Sequence, residues 1–380
     1  MKVALVHDWL NGMRGGEKCL EVFCELFPDA HLFSLFHEKG KLSPTIESME
    51  IRTSWARKLP AIFTKYRYYL PLLPRAIQSL DLSEYDLVLS LSHCVSKGVI
   101  PREDARHICY CFTPMRYVWD MYDQYFGRGG LAAKVMPFFA GRLRKWDVAS
   151  SERVSQFVAI SEHVRERISR IYKRESDIIY PPVDTELYQP GGEVGDYYLI
   201  VSAFAPYKRV DIAVDAFNRS GRPLKIIGSG QSGETLRSMA SDNVEFLGWC
   251  SDEELVNLYG GCRAFVFPGE EDFGITPLEA QACGRPVIAY GKGGALETVV
   301  GLENSGGNKP TGVFFDEQTP EGLNGAIEKF EGCLDKFEPE AARENALRFS
   351  RDVFKKLLAD YIQNYIKSPL PATDKIGASL

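Results

Sequence analysis

The sequence predicts an α/β protein of two domains, each with a mostly parallel sheet. Three observations carry this. At 380 residues the chain is too long for one compact core. Short apolar runs alternate with amphipathic stretches in both halves, as parallel strands and crossover helices do. Between the halves lies IYPPVDTELYQPGGEVGD, which holds three prolines, three glycines and no periodic pattern.

In the first half VALVHDW, AHLFSLF, DLVLSLS, HICYCF, FVAIS and DIIYPPV read as strands, because each is nearly continuous in apolar residues. Helical patterns fall between them, such as Glu17–Phe27 and Glu162–Tyr172. In the second half YYLIVSA, LKIIGSG, NVEFLGW, CRAFVFP, RPVIAY and GVFFD are strands. Ser251 opens a helix there, with Glu254 three residues on, the pattern of a capping box. After Asp316 the pattern is helical through about Ile366, and the tail SPLPATDKIGASL reads as frayed. The expected domains are 1–185 and 186–350, both Rossmann-like, followed by a helix and tail over 351–380 that packs back on the first domain. Ligands of such sheets bind beyond the carboxyl ends of the strands, so chemistry is sought there.

Composition narrows the class. No apolar run approaches the ~18 residues that suggest a membrane span. The start MKVALVHDW lacks the features of a signal peptide. The nine cysteines show no CxxC pair, and the expectation is buried free thiols in a cytoplasmic protein. The net charge of −6 hides an asymmetry. From Ile51 to Leu80 every charged residue is basic: Arg52, Arg57, Lys58, Lys65, Arg67 and Arg75. Trp55, Phe63, Tyr66, Tyr68 and Tyr69 are interleaved. Arg128, Lys134, Arg142, Arg144 and Lys145 repeat the pattern beside Tyr125, Phe126, Phe138, Phe139 and Trp146. Two readings stand: an anionic membrane surface bound through Arg52–Arg75 and Arg128–Lys145, or solvated helix faces with a buried aromatic side. Nucleic acid fits less well, because prolines at 60, 71 and 74 cut the segment into short amphipathic pieces.

The densest chemistry follows CRAFVFP, in GEEDFGITPLEAQACGRPVIAYGKGGALETV. Glu271 and Glu279 stand there with seven residues between them. Thr276 reads as an N-cap with Pro277 at the first helical position, which puts Glu279 third. Glu279 then either caps its own helix or binds a ribose at a helix start whose N–H groups hold phosphate. Glu271 precedes the helix, has no such local role, and can accept hydrogen bonds from sugar hydroxyls. Lys208 and Arg209 follow the strand YYLIVSA in VSAFAPYKRV, and two cations there suit a diphosphate leaving group.

In the first half Gly15 and Gly16 precede a helix in HDWLNGMRGGEKCLE, as a phosphate-approaching loop or a plain turn. His93 and Lys97 follow DLVLSLS. Arg116, Tyr117, Trp119 and Asp120 follow HICYCF. His93 is either a structural histidine or a catalytic one. Arg116 either binds an acceptor phosphate or pairs with Asp120. Gly228 and the Gly248–Trp249 pair end two further strands, where they read as plain turns.

The Glu271–Glu279 run resembles the E-x7-E signature of retaining GT-B glycosyltransferases of family GT4, and the resemblance extends from Val3 to about Phe354. It implies that Glu271 contacts a donor hexose and Glu279 the nucleotide ribose. Backbone at Phe273, Gly274, Ile275 and Thr276 would approach the sugar and diphosphate. It also implies that Gly15 and Gly16 face the diphosphate and that Gly228, Gly248 and Trp249 lie against the nucleotide. Where the family commonly has an arginine this chain has Ala203, which shifts weight to Lys208 and Arg209. Related sequences read YCHTPMRY where Phe112 stands here, so His93, backbone or altered acceptor handling takes the place of that histidine. HDWLNGMRGGEK and VSAFAPYKR resemble a WbaZ-like mannosyltransferase subgroup.

The resemblance implies transfer of a hexose with retention, mannose from GDP-mannose, to a lipid-linked saccharide of a bacterial O-antigen, lipopolysaccharide or exopolysaccharide. Lys97, Arg116, Tyr117, Trp119 and Asp120 would lie on the acceptor side. No DxD pair is present, so a metal-independent reaction without a resident cofactor is expected. The expected location is the inner face of the plasma membrane, held peripherally. The alternatives are a UDP-linked donor, a nucleotide-sugar epimerase or phosphorylase, and a non-catalytic nucleotide-sugar-binding protein.

Overall fold

A computed structural model describes residues 1–120, 130–303 and 306–369, without side chains for 130–136. Arg128, Tyr125 and Phe126, and the side chain of Lys134, therefore lie outside the described residues. The chain divides into two compact units. Unit 1 holds Met1–Ile160, Val164–Ile179 and Lys355–Leu380, and unit 2 holds Ser161–His163 and Tyr180–Phe354.

Unit 1 carries seven strands: β1 (Val3–His7), β2 (His31–Ser34), β3 (Glu50–Thr53), β4 (Leu87–Ser92), β5 (Arg106–Cys111), β6 (Gln156–Ala159) and β7 (Ser176–Ile178). Their order is β3-β2-β1-β4-β5-β6-β7, and every pairing is parallel. All six residues of β4 are buried, which is why its sequence is apolar without alternation. The strand order turns at β1 and β4, where connections leave toward opposite edges, the place at which open sheets of this kind bind ligands. The helices used below are α1 (Gly15–Leu26), α2 (Gly130–Ser151) and α3 (Glu162–Tyr172).

Unit 2 carries β8 (Tyr198–Val201), β9 (Leu224–Ile227), β10 (Val244–Gly248), β11 (Phe265–Phe267), β12 (Val287–Tyr290) and β13 (Gly312–Phe315). Their order is β10-β9-β8-β11-β12-β13, again all parallel. Helices α4 (Val210–Ser220) and α5 (Ile275–Ala282) follow β8 and β11. The expected capping box is present: Ser251 Oγ accepts from the Glu254 amide at 3.3 Å, and Glu254 accepts from the Ser251 amide at 2.8 Å.

Twelve of the strands correspond to the apolar runs. The thirteenth, β3, is the sheet edge. Its residues Glu50, Ile51, Arg52 and Thr53 alternate between exposed and half-buried, so a search for continuous apolar runs passes over it.

The last helix, α6 (Arg351–Lys367), belongs to unit 1 from Lys355 onward. Lys355 pairs with Glu25 at 2.9 Å, Tyr361 donates to Asp177 at 2.7 Å, and Arg106 donates to the Tyr365 carbonyl at 2.7 Å. None of the nine cysteines forms a disulfide among the described residues, and seven of them are buried. Among the described residues no helix is long and apolar enough to cross a membrane.

Candidate functional site

In unit 2 the turns after β8 and β11 bring together two residues 63 positions apart in sequence, Lys208 and Glu271. Their ammonium and carboxylate form an ion pair, and each side chain keeps part of its surface open to solvent, 16% and 19%. Lys208 ends a short 3-10 turn over Pro206–Lys208. Glu271 is fixed by its backbone, which bridges Gly293 in parallel and accepts from the Gly294 amide at 2.8 Å. An ammonium has three donors and a carboxylate about four lone-pair sites.

Arg209 has left-handed backbone (φ 50°) and stands immediately before α4. Its guanidinium donates to the Asp211 carboxylate at 3.2 Å and to Gln318 at 3.1 Å. Asp211 lies in the first turn of α4, so this cation is partly neutralised by the helix it precedes.

Helix α5 begins earlier than its sequence pattern suggests. Gly274 is the N-cap, with φ 96°, and Ile275 opens the helix. Thr276 is inside it, no side chain caps it, and Pro277 sits in the first turn, where a missing N–H costs nothing. The expected capping role of Glu279 is corrected accordingly. Glu279 lies a turn deeper, is buried, and accepts the Tyr259 hydroxyl at 2.8 Å. Phe273, just before the cap, is buried too, stacked on Tyr180 at 5.6 Å with 22° between the rings.

Two turns expected near a nucleotide are neighbours. The Gly228 amide donates to the Gly248 carbonyl at 3.3 Å. Gly228 has φ 144°, and a Cβ there would meet the Ser202 carbonyl oxygen at 1.9 Å, so no larger residue fits. Trp249 beside them is 87% exposed, an apolar face with nothing packed over most of it.

In unit 1 the loops after β1, β4 and β5 converge. Gly15 and Gly16 open α1, and Glu17 in its first turn accepts from the Arg14 amide at 3.1 Å and lies 3.3 Å from His7 Nε2. Burial pushes the Glu17 carboxyl up, but the hydrogen bond and charge of His7 outweigh it and hold the group below its usual range. Asp8, fully buried, accepts the amides of His93, Cys94, Val95 and Ser96 at 2.6 to 2.9 Å. The same carboxylate lies 3.1 Å from His93 Nδ1. Phe112 closes this group, with its ring centroid 6.3 Å from those of His7 and His93.

The residues expected on an acceptor side divide. Lys97 is interior: it pairs with Asp147 at 2.8 Å, donates to Ser150 at 2.6 Å, and lies against Trp146 and Tyr172. Trp119 donates to the same Asp147 at 2.8 Å, and Tyr117 is a buried core residue. Asp147, on α2, is thus the centre of a buried polar knot, and these three residues build the unit rather than line an opening. Asp120 binds Arg167 at 2.5 Å and Arg170 at 2.8 Å, both on α3. Arg116 is half-buried beside the loop after β5.

Sequence reading missed Asp8, Tyr259 and Asp147. Asp8 had a signal, an acid directly after a continuous apolar strand. Tyr259 and Asp147 looked like ordinary helix residues.

Residues 192–347 match the family described as Glycosyl transferases group 1. An O-antigen chain mannosyltransferase C of Escherichia coli is 40% identical over 25% of this chain and 28% of its own length. A GDP-mannose-dependent monoacylated alpha-(1-6)-phosphatidylinositol monomannoside mannosyltransferase of Corynebacterium glutamicum is 40% identical over 26% and 30%. An uncharacterised glycosyltransferase of Methanocaldococcus jannaschii is 29% identical over 48% and 50%. The chain thus spans half or less of the length of these curated relatives. Among solved structures, Anabaena Alr3699/HepE in complex with UDP is similar over 96% of this chain and all of that one, with TM-score 0.70 and 17% identity. The sucrose-phosphate synthase of Thermosynechococcus elongatus covers 97% of this chain, with TM-score 0.71 and 16% identity. Those two likenesses show the fold, a GT-B arrangement of two parallel-sheet units. The match to the glycosyl transferases group 1 model falls inside unit 2, the unit that carries the Lys208–Glu271 pair.

Proposed function

We propose that the chain is a retaining glycosyltransferase that moves mannose from GDP-mannose onto a lipid-linked saccharide of a bacterial O-antigen, lipopolysaccharide or exopolysaccharide. The observation that carries this reading is the meeting of Lys208 with Glu271, just ahead of the α5 N-terminus. A departing nucleoside diphosphate gains negative charge in the transition state, and a preorganised ammonium stabilises it without a metal. The free N–H groups of the first turn of α5 supply further positive potential. Glu271 accepts hydroxyls of the hexose and holds it in register, Glu279 takes the ribose side, and the Gly228 and Gly248 turns floor the nucleotide. Trp249 offers its exposed indole face to the base. Arg209 adds a second cation. No residue is assigned as a covalent nucleophile; the departing phosphate helps deprotonate the acceptor hydroxyl on the same face, and positioning supplies much of the rate. The two 40%-identical segments, both from mannosyltransferases, favour mannose.

The acceptor's lipid places the enzyme at the cytoplasmic surface of a membrane. Between Arg52 and Arg75 the structure exposes Trp55, Phe63, Tyr68 and Leu72 among Arg57, Lys58, Lys65, Arg67 and Arg75. Arg142 and Lys145 add charge beside Phe138, which is 68% exposed. Aromatic and leucine side chains enter the headgroup layer while the cations meet anionic lipid.

The test is to incubate the protein with GDP-mannose and a lipid-linked saccharide extract, follow mannose into the lipid fraction, and assign the anomer by NMR. An α-linked product lost in Glu271→Ala supports the reading. Isomerised sugar from donor alone indicates an epimerase. Nucleotide binding with no turnover over any acceptor fraction indicates an inert binder. A thermal-shift series with GDP, UDP and their sugars identifies the nucleotide, since a ligand of the folded state raises its melting temperature.

A further inference from the structure

Unit 1 holds a cavity of about 480 Å³ beside its edge strand β3, and none of the cavity's walls comes from the loops after β1, β4 and β5. The walls are β2, β3 with the turn after it, and the segment that leads from a short helix over Leu73–Gln78 into β4. Small-molecule sites occupy roughly 300–1,000 Å³. Three rings line this one: Phe33 and Tyr85, both buried, and Trp55, which is 39% exposed. Arg52, Asp81 and Glu84 line it as well.

The guanidinium is held in place. Arg52 Nε and Nη2 donate to Glu50 Oε1 at 2.9 and 2.6 Å, and Nη1 donates to the Tyr85 hydroxyl at 3.0 Å. The same hydroxyl meets His31 Nδ1, and His31 Nε2 lies 3.2 Å from Glu50 Oε2, which closes a ring of four side chains. Burial pushes the Tyr85 phenol up, so its hydroxyl keeps its proton at neutral pH. A guanidinium carries five N–H groups. Three are used among the described residues, and two remain for an anion.

The carboxylates have spare acceptors. Asp81 Oδ1 accepts the amide and hydroxyl of Ser83 at 3.0 and 2.7 Å, which hold the group below its usual range. Glu84 Oε2 lies 3.1 Å from Lys2 Nζ. Asp81 Oδ2 and Glu84 Oε1 accept no hydrogen bond among the described residues. The charges of Arg52, Asp81 and Glu84 all act on the Tyr85 phenol, so one small volume carries both signs.

A purely anionic ligand would meet two carboxylates there, and a purely cationic one a guanidinium. A phosphate and an ammonium on a short linker satisfy both. The phosphate takes the Arg52 N–H groups, the ammonium donates to the carboxylates, and aromatic faces suit the cation. Trp55 also opens the turn Trp55–Lys58, in which Arg57 and Lys58 are exposed, so the cavity adjoins in sequence the basic, aromatic surface assigned to lipid headgroups.

We propose that this cavity binds the phosphoethanolamine headgroup of a membrane phospholipid, with Arg52 on the phosphate and Asp81 and Glu84 on the primary ammonium. The proposal rests on the membrane half of the proposed function and not on the transfer reaction. A choline headgroup carries the same charges but has no N–H to donate, and loses the carboxylate contacts.

Co-sedimentation with two vesicle preparations tests it. Both contain the same fraction of phosphatidylglycerol, with phosphatidylethanolamine or phosphatidylcholine as the remainder. The wild type is expected to bind the ethanolamine vesicles roughly threefold or more tightly. Glycerophosphoethanolamine in solution should erase that preference and glycerophosphocholine should leave it; any other pattern overturns the headgroup contact. Asp81→Asn combined with Glu84→Gln, both on exposed side chains, should bind the two preparations equally. It should bind them no more weakly than the wild type binds choline vesicles, because two negative charges are gone, and this sign separates a lost headgroup contact from lost attraction to anionic lipid. Equal wild-type binding to the two preparations overturns the cavity and leaves the membrane surface standing. An ethanolamine preference that survives in the double variant overturns it too, since packing of the lipid then accounts for the preference. Binding to neither preparation overturns the cavity and the membrane surface together.

Discussion

Lys208 and Glu271 neutralise one another across unit 2, so neither the cation nor the carboxylate stands as an isolated charge before a ligand arrives. A donor placing phosphate at Lys208 and hydroxyls at Glu271 meets two groups already oriented. Their positions are fixed by the backbone of separate turns rather than by the pair itself.

Under the proposed function, removing either group should lower turnover sharply with little effect on folding. Glu271→Ala and Lys208→Ala are each expected to lower transfer by roughly 100-fold or more. The double variant should fall well short of the product of the two losses, because the residues act on one donor. Initial rates with saturating acceptor, alongside circular dichroism, check this. Fully multiplicative losses would argue for independent roles.

Glu279 makes the opposite prediction about stability. It is buried and binds the Tyr259 hydroxyl. Glu279→Ala leaves that hydroxyl without its partner and is expected to cost about 1–3 kcal/mol. Glu279→Gln keeps an acceptor and should cost less. Urea denaturation distinguishes the two, and equal losses would contradict the hydrogen-bonding account.

Lys97→Met strips the cation from Asp147 in the interior of unit 1. Leaving a buried carboxylate without its counter-charge is expected to cost about 3–5 kcal/mol. Lys97→Met with Asp147→Asn should recover much of it, because the amide no longer needs a cation. An unchanged urea midpoint in the single variant would place Lys97 elsewhere.

Two histidines, His107 buried and His93 half-buried, set an acid limit. Burial brings His93 down to about 4 and His107 down to about 3, from an ordinary 6.5. The unfolded chain takes up these protons first. The stability they contribute is full above about pH 6.5 and is lost as pH falls toward 4 and 3. His107 bridges Ser90 at 2.8 Å and the Arg153 carbonyl at 3.1 Å. In His107→Gln the urea midpoint should fall less between pH 7 and pH 4.5 than in the wild type, and parallel pH curves would remove His107 from the account.

The basic, aromatic segment predicts salt-sensitive adsorption. Co-sedimentation with phosphatidylglycerol-containing vesicles should fall as NaCl rises, since exposed charges are screened beyond a Debye length. Each reversal among Arg57→Glu, Lys58→Glu and Lys65→Glu should weaken binding by roughly fivefold or more. Equal binding to neutral vesicles would point to aromatic insertion without charge recognition.

What could be read from the sequence followed the range of the forces involved. Strands β1, β4 and β5 were visible because burial on both faces makes their own residues apolar. The edge strand β3 was not, since it takes its definition from β2 beside it. Glu271 and Lys208 stood out singly as charges after apolar strands, but their pairing depends on how two distant turns close. The start of α5 was misread by two residues, because Gly274 turns the chain with its backbone where a capping side chain was expected. Lys97 looked accessible because Asp147, its neutralising partner, lies fifty residues on.

The return of α6 to unit 1 has a consequence for synthesis. The residues that hold Glu25, Asp177 and Arg106 at that surface are Lys355, Tyr361 and Tyr365, which are translated after every strand of unit 2. Among the described residues unit 2 has all its strands once Phe315 has emerged, whereas unit 1 waits for α6 before that surface is covered. The half translated first is thus finished last. A stop codon shortly after Phe354 would produce a chain with unit 2 entire and unit 1 missing one of its helices, a fragment whose defect lies in the half farthest from the cut in sequence.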